Sequence, residues 1–139
     1  MASETFFTVI GCMDGRCVEP VEAFGKQEFN AEYADTITEP GIVGILSSKP
    51  SKTFLNNLKN KILISLYKHN SKGIVIDGHA ECAGDPVADD VQKVQIKQSV
   101  QIISELIENA VPVVGIFVHR CPQHTMQWEA DKLPASMIA

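Results

Sequence analysis

Two short segments concentrate the residues of this chain that could do chemistry. His79-Ala80-Glu81-Cys82 follows directly on the apolar run Gly73-Ile74-Val75-Ile76-Asp77-Gly78, and Cys12-Met13-Asp14-Gly15-Arg16 follows on Phe6-Phe7-Thr8-Val9-Ile10-Gly11. Two thiols and one imidazole therefore leave the ends of two runs of strand length. Sulfur and imidazole suit zinc, and three such ligands leave the fourth tetrahedral position open for water, as a catalytic centre needs. Asp14 and Arg16 add an acid and a base beside the first of these cysteines.

Taken singly, each feature has an ordinary explanation. A cysteine at a strand end is commonly a small core residue, and a single His-x-x-Cys is more often not a metal pair. An Asp and an Arg two residues apart are usually a surface ion pair contributing about 0–1 kcal/mol. The joint pattern favours the metal. Beside an ion, a bidentate guanidinium clamps the carboxylate away from the metal and orients it toward the oxygen held there.

These loops must be brought together by the elements that precede them. Apolar runs alternate with helical patterns, which predicts an α/β fold with a mostly parallel central sheet of about four strands flanked by helices. Strands are expected over 5–11, 31–38, 73–78 and 111–119, and the near-continuous apolar character of 74–76 and 113–118 suits strands covered on both faces. Ser51 is placed to cap a helix over 52–69, in which Leu55, Leu58, Ile62 and Leu66 recur at helical steps. A second amphipathic helix is expected from Asp85-Pro86 to about residue 109. Pro20 and Gly25 make the segment 18–29 a short or broken helix. Ligand sites of parallel sheets lie outside the carboxyl ends of the strands, where Cys12, His79 and Cys82 fall. They converge if the first and third strands are neighbours, about 4.8 Å apart.

Length and composition bound the rest. With 139 residues, 45% of them apolar and 21% charged, the chain is expected to form one domain over 1–139, with 120–139 as a tail that covers the body or reaches a partner. A net charge of -5 with dispersed lysines gives no electrostatic footprint for nucleic acid or an anionic membrane. The first residues carry no basic region ahead of an apolar stretch, and no run approaches the ~20 apolar residues of a membrane span; a cytoplasmic location is expected. In that setting the four cysteines are read as ligands or plain thiols, not as a disulfide framework, with Cys17 a packed thiol.

The segments Cys12-Met13-Asp14-Gly15-Arg16 and Gly78-His79-Ala80-Glu81-Cys82 resemble the two signature motifs of the beta class of carbonic anhydrases, in the family's order, and the similarity extends over roughly residues 5–118. The resemblance implies a zinc lyase that hydrates carbon dioxide to bicarbonate through a zinc-bound hydroxide, with one zinc ion per chain, assembled as a homodimer or homotetramer. It implies that Cys12, His79 and Cys82 bind the metal and that Asp14 with Arg16 form the catalytic gatekeeping pair. Two departures stand out. Thr38-Glu39-Pro40-Gly41 occupies the place of an Arg-Asn-Ala-Gly segment, and Ala83 separates Cys82 from the glycine that usually follows at once. Two other readings remain open: a related zinc hydrolase acting on carbon disulfide or carbonyl sulfide, and a noncatalytic zinc-binding interaction module closed by Asp14.

Other residues have weaker claims. His119 ends the last expected strand and is placed to shuttle protons, but His119, Cys121 and His124 together could instead bind a second metal, or simply be solvated. His69 suits the negative end of the preceding helix dipole. Met126, Trp128, Leu133, Met137 and Ile138 either cover the core or form contacts between chains.

Overall fold

The computed structural model describes residues 4–135. The chain runs β1 (Phe6–Gly11), a 3-10 turn (Gly15–Cys17), α1 (Val18–Phe29), β2 (Tyr33–Thr38), α2 (Ile42–Ser47), α3 (Lys52–Lys68), β3 (Ile74–His79), α4 (Asp89–Leu106), β4 (Val113–Cys121), a second 3-10 turn (Pro122–His124) and β5 (Gln127–Lys132). The strands form one sheet in the order β2-β1-β3-β4-β5. All pairs are parallel except β4 with β5. The expected α/β class and parallel core hold, and β1 and β3 are neighbours, as convergence of Cys12, His79 and Cys82 requires. Thr8, Val9 and Ile10 pair with Ile74, Val75 and Ile76.

The sheet is covered on both faces, which explains the continuous apolar runs. Ile10, Ile74, Ile76 and Phe117 meet α2, α3 and α4 on one face; Phe7, Val9, Val75, Ile116 and Val118 meet α1 on the other. The period-2 alternation of strand side chains assigns neighbouring residues to opposite layers. Ser51 caps α3 as expected, its hydroxyl accepting from the Phe54 amide at 3.1 Å. His69 is the C-cap of that helix, and its Nδ1 also lies 2.7 Å from Asp35 of β2.

The elements differ from expectation at four places. The sheet has a fifth strand, β5, inside what was read as a tail; Trp128 and Ala130 pack on the α1 side while Glu129 and Asp131 alternate outward. Met137 and Ile138 lie outside the described residues. The helix expected from Asp85-Pro86 begins at Asp89, because Asp85 is buried and its carboxylate accepts from the Gln92 side chain at 3.3 Å. Asp89 and Asp90 then occupy the first turn, where negative charge favours the dipole. A six-residue helix, α2, follows Gly41, whose positive φ of 61° suits glycine.

The fourth correction is α1, which is continuous. Pro20 sits in its first turn, where a missing N–H breaks no helical bond. Gly25 is there for closeness: a Cβ at that position would lie 1.9 Å from the Phe7 ring. Alanine is the better helix former by about 1 kcal/mol, but Phe7 is fully buried and overpacking costs about 1–3 kcal/mol. Gly25→Ala is therefore expected to destabilise the protein by about 1 kcal/mol, measured as a lower urea midpoint. A raised midpoint would show that the ring yields freely. No helix among the described residues is long and apolar enough to cross a membrane.

Candidate metal centre

Cys12 lies just past β1, His79 ends β3, and Cys82 follows in a tight turn in which Glu81 takes a positive φ of 60°. That left-handed residue, a conformation costing on the order of 1 kcal/mol for a non-glycine, swings Cys82 back toward His79. The Cys12 and Cys82 sulfurs are 3.9 Å apart. These two atoms and a ring nitrogen of His79 all lie within 4.8 Å of one another, so the structure brings together the three residues singled out in the sequence.

The imidazole is oriented for a ligand. His79 Nδ1 is 2.8 Å from the Ala80 carbonyl, which can only accept, so Nδ1 carries the proton and Nε2 presents its lone pair. Nε2 is buried and has no hydrogen-bond partner. An orphaned buried acceptor costs about 1–3 kcal/mol, and a cation held between it and the two sulfurs would satisfy it. Burial pushes the Cys12 thiol up, but the nearby His79 imidazole and the amides of Gly41 and Asp14 outweigh this and bring it to about 7. The Gly41 amide donates to the Cys12 sulfur at 3.5 Å. Burial and the neighbouring Cys12 raise Cys82. The donor set therefore fits zinc: one readily ionised thiol, a second thiol that metal would deprotonate, and a neutral imidazole with a fixed tautomer.

Asp14 approaches without joining the set. Its Oδ2 is 3.9 Å from His79 Nε2, but Arg16 holds both oxygens, through Nε on Oδ1 at 3.0 Å and a terminal nitrogen on Oδ2 at 2.7 Å. The Arg16 amide donates to Oδ1 as well, at 2.9 Å. Hydrogen bonding from the Arg16 side chain holds the Asp14 carboxyl down to about 2. With its folded value below its ordinary one, Asp14 contributes stability that is present above about pH 4 and lost as the pH falls toward 2. Asp14→Asn is expected to flatten the acid limb of stability between pH 4 and 2, read from denaturant midpoints of metal-free protein. An acid limb as steep as in the parent would rule out this contribution.

Arg16 is itself braced by residues that sequence reasoning missed. It reaches the Glu81 carbonyl at 3.2 Å and the Glu81 carboxylate at 3.4 Å, while Arg120 of β4 donates to the same carboxylate at 2.9 Å. Trp128 of β5 packs against both guanidiniums, its ring centre 4.6 Å from that of Arg16 and 4.8 Å from that of Arg120. Glu81 was visible inside its motif but carried no assigned role, and its partners, Arg16 in the first 3-10 turn and Arg120 on β4, are brought near only by the fold.

The two departures from the signature pattern meet each other. The Glu39 amide donates to the Gly11 carbonyl at 3.1 Å, which carries Pro40-Gly41 across Cys12. Gly41 then packs so closely on Gly84 that a Cβ would lie 2.6 Å from its backbone. Beside Cys12 a cleft of about 270 Å³ opens, lined by Val9, Val21, Ala34, Thr38 and Asp77 among others. Burial pushes the Asp77 carboxyl up to about 7, despite the Cys12 amide it accepts from. Cys17 is a packed thiol, and burial raises it far above the usual range. His119 does not face the centre: its Nδ1 meets the Arg120 carbonyl at 2.9 Å and its Nε2 meets Asp131 at 2.5 Å.

A family model described as "Putative carbonic anhydrase" matches residues 2–130. No curated protein matches the chain. Among solved structures it is similar to a beta-carbonic anhydrase of the fungal pathogen Aspergillus fumigatus, at 14% identity and a TM-score of 0.61 over 96% of this chain and 77% of that one. It is similar to beta-carbonic anhydrase isoform I of the protozoan Trichomonas vaginalis, at 21% identity and a TM-score of 0.54 over 94% and 84%. It also resembles tetrameric beta-carbonic anhydrases of the ascomycete Sordaria macrospora, at 13% identity and a TM-score of 0.61 over 95% and 82%. At these identities the structural likeness is one of fold, and the family model adds the relationship in sequence: the chain belongs to the beta-class carbonic anhydrase family, as a divergent member.

Proposed function

We propose that the protein hydrates carbon dioxide to bicarbonate, with one zinc ion held by Cys12, His79 and Cys82 and with Asp14 and Arg16 as its catalytic pair. The observation that carries this reading is the convergence of two sulfurs on a buried imidazole nitrogen that nothing else satisfies. Zinc bound there would supply Lewis acidity that turns water into a nucleophile near neutral pH. The protein's own residues would do the rest. His79 keeps its donor nitrogen on the Ala80 carbonyl, so the imidazole stays in the ligating tautomer. Asp14, ionised throughout the neutral range, offers an acceptor beside the centre and fixes the direction of a nearby donor. Arg16 engages both oxygens of Asp14 and so withholds that carboxylate from the metal. The apolar wall of the adjacent cleft suits a small uncharged substrate, which needs no charged residue to hold it.

We further propose a homodimer or homotetramer. Met13 and Val18 are exposed beside the cleft, and the Sordaria relatives are tetrameric. Stopped-flow hydration before and after chelation, with zinc restored, tests the function. Zinc-dependent turnover across pH 7 to 9 is expected. Undetectable turnover by fully zinc-loaded protein would overturn the assignment, and preferential turnover of carbonyl sulfide or carbon disulfide would move it to a hydrolase.

A further inference from the structure

The β4–β5 hairpin carries a second group of metal-type donors that the centre above does not use. We propose that Cys121, His124 and Glu129 form a separate, solvent-facing site for a zinc-like divalent cation. One donor atom from each, a sulfur, a ring nitrogen and a carboxylate oxygen, all lie within 4.8 Å of one another.

The hairpin geometry explains how they meet. Cys121 pairs with Gln127, and His119 pairs with Glu129, so Cys121 and Glu129 are diagonal neighbours on one face, within reach of long side chains. Arg120 and Trp128, which also pair, point to the other face, toward Arg16. His124 comes from the connecting loop. After the 3-10 turn at Pro122–His124, Thr125 and Met126 both take positive φ, 55° and 61°. The Met126 amide closes the loop on the Cys121 carbonyl at 3.0 Å. Two successive non-glycine residues in that region cost on the order of 1 kcal/mol or more each, and no buried side chain of the loop accounts for this. What the reversal does is lay the His124 ring on the strand pair, with Nδ1 against Glu129 Oε1.

The chemistry of the donors selects the ion. A mixed sulfur, nitrogen and oxygen set suits zinc, cobalt or nickel and disfavours magnesium and calcium, which prefer oxygen ligands. Three protein donors at the surface leave further positions to water. Binding would displace the thiol hydrogen of Cys121, now 3.2 Å from Gln123 Oε1, because the ligating form of sulfur is the thiolate. His119 is not part of the set despite its spacing, because Asp131 and the Arg120 carbonyl occupy its two nitrogens. Glu129 takes the place that spacing alone gave to His119.

The site is tested by titrating chelator-stripped full-length protein with Co²⁺ and reading stoichiometry and the cobalt–thiolate absorption. The parent is expected to take two equivalents. Cys121→Ser/His124→Ala is expected to take one, with the second bound at least tenfold more weakly and hydration activity unchanged. Glu129→Gln is expected to weaken the second equivalent while keeping its thiolate band. Two tight equivalents in Cys121→Ser/His124→Ala would overturn the proposal, as would a parent whose single equivalent survives that double substitution. A parent that binds a single equivalent, lost on that double substitution, would support this site and count against the Cys12, His79 and Cys82 centre instead.

Discussion

His79→Ala is expected to remove the zinc of the Cys12, His79 and Cys82 centre and carbon dioxide hydration together. Two sulfurs 3.9 Å apart remain, but they must then hold a dication without the neutral donor that completes the set. Metal assistance contributes several kcal/mol to such a reaction; at about 1.4 kcal/mol per decade, loss of on the order of 4 kcal/mol is roughly a thousandfold in turnover. The folded state should survive better than the loss of a buried side chain usually allows. The substitution leaves a cavity but also removes the unsatisfied Nε2, and these effects oppose each other in metal-free protein. Zinc content by mass spectrometry and stopped-flow rates, with circular dichroism as a control of folding, decide the matter. A folded His79→Ala protein with parental zinc content and parental turnover would refute the assigned centre.

Arg16→Ala is expected to lower kcat/KM by on the order of 10- to 100-fold, the usual scale for losing a group that orients a metal site's neighbours. The effect follows from what remains. Asp14 keeps only the backbone amide at position 16, its acidity relaxes toward an ordinary carboxyl, and its Oδ2, 3.9 Å from His79 Nε2, is free to compete for the metal. Arg16→Lys should recover only part of the rate, since an ammonium cannot grip both oxygens at once. Glu81→Gln, which weakens the brace on Arg16 but spares its grip on Asp14, should change the rate by only a few-fold, as exposed ion pairs contribute about 0–1 kcal/mol. Cobalt-substituted Arg16→Ala is expected to show a carboxylate ligand. Full turnover with no such ligand would remove Arg16 from the mechanism.

The parts of the fold that the sequence displayed are those where burial writes a long pattern. β1 and β3 are apolar on both faces, so their ends, and with them Cys12, His79 and Cys82, were legible before any coordinates. α3 was legible through its Ser51 cap and its three- and four-residue steps. β5 was not, because Gln127–Lys132 is an edge strand whose inward side holds only Trp128 and Ala130. α2 was hidden for a related reason: six residues following Gly41 are too few to display a period. The brace around Arg16 escaped notice because its three other members, Glu81, Arg120 and Trp128, come from distant stretches and meet only when β5 folds back on β4. The same reversal put Glu129, not His119, beside Cys121 and His124.

Trp128 is the only tryptophan of the chain, and its ring lies against both Arg16 and Arg120. Its indole therefore gives the protein a native optical probe at one defined place. Selective excitation isolates it from the two tyrosines, and an event that swings Arg16 away from both Asp14 and the indole is expected to alter its emission. Opening of the pair can thus be followed in unlabelled, wild-type protein on the timescale of mixing, without recourse to turnover.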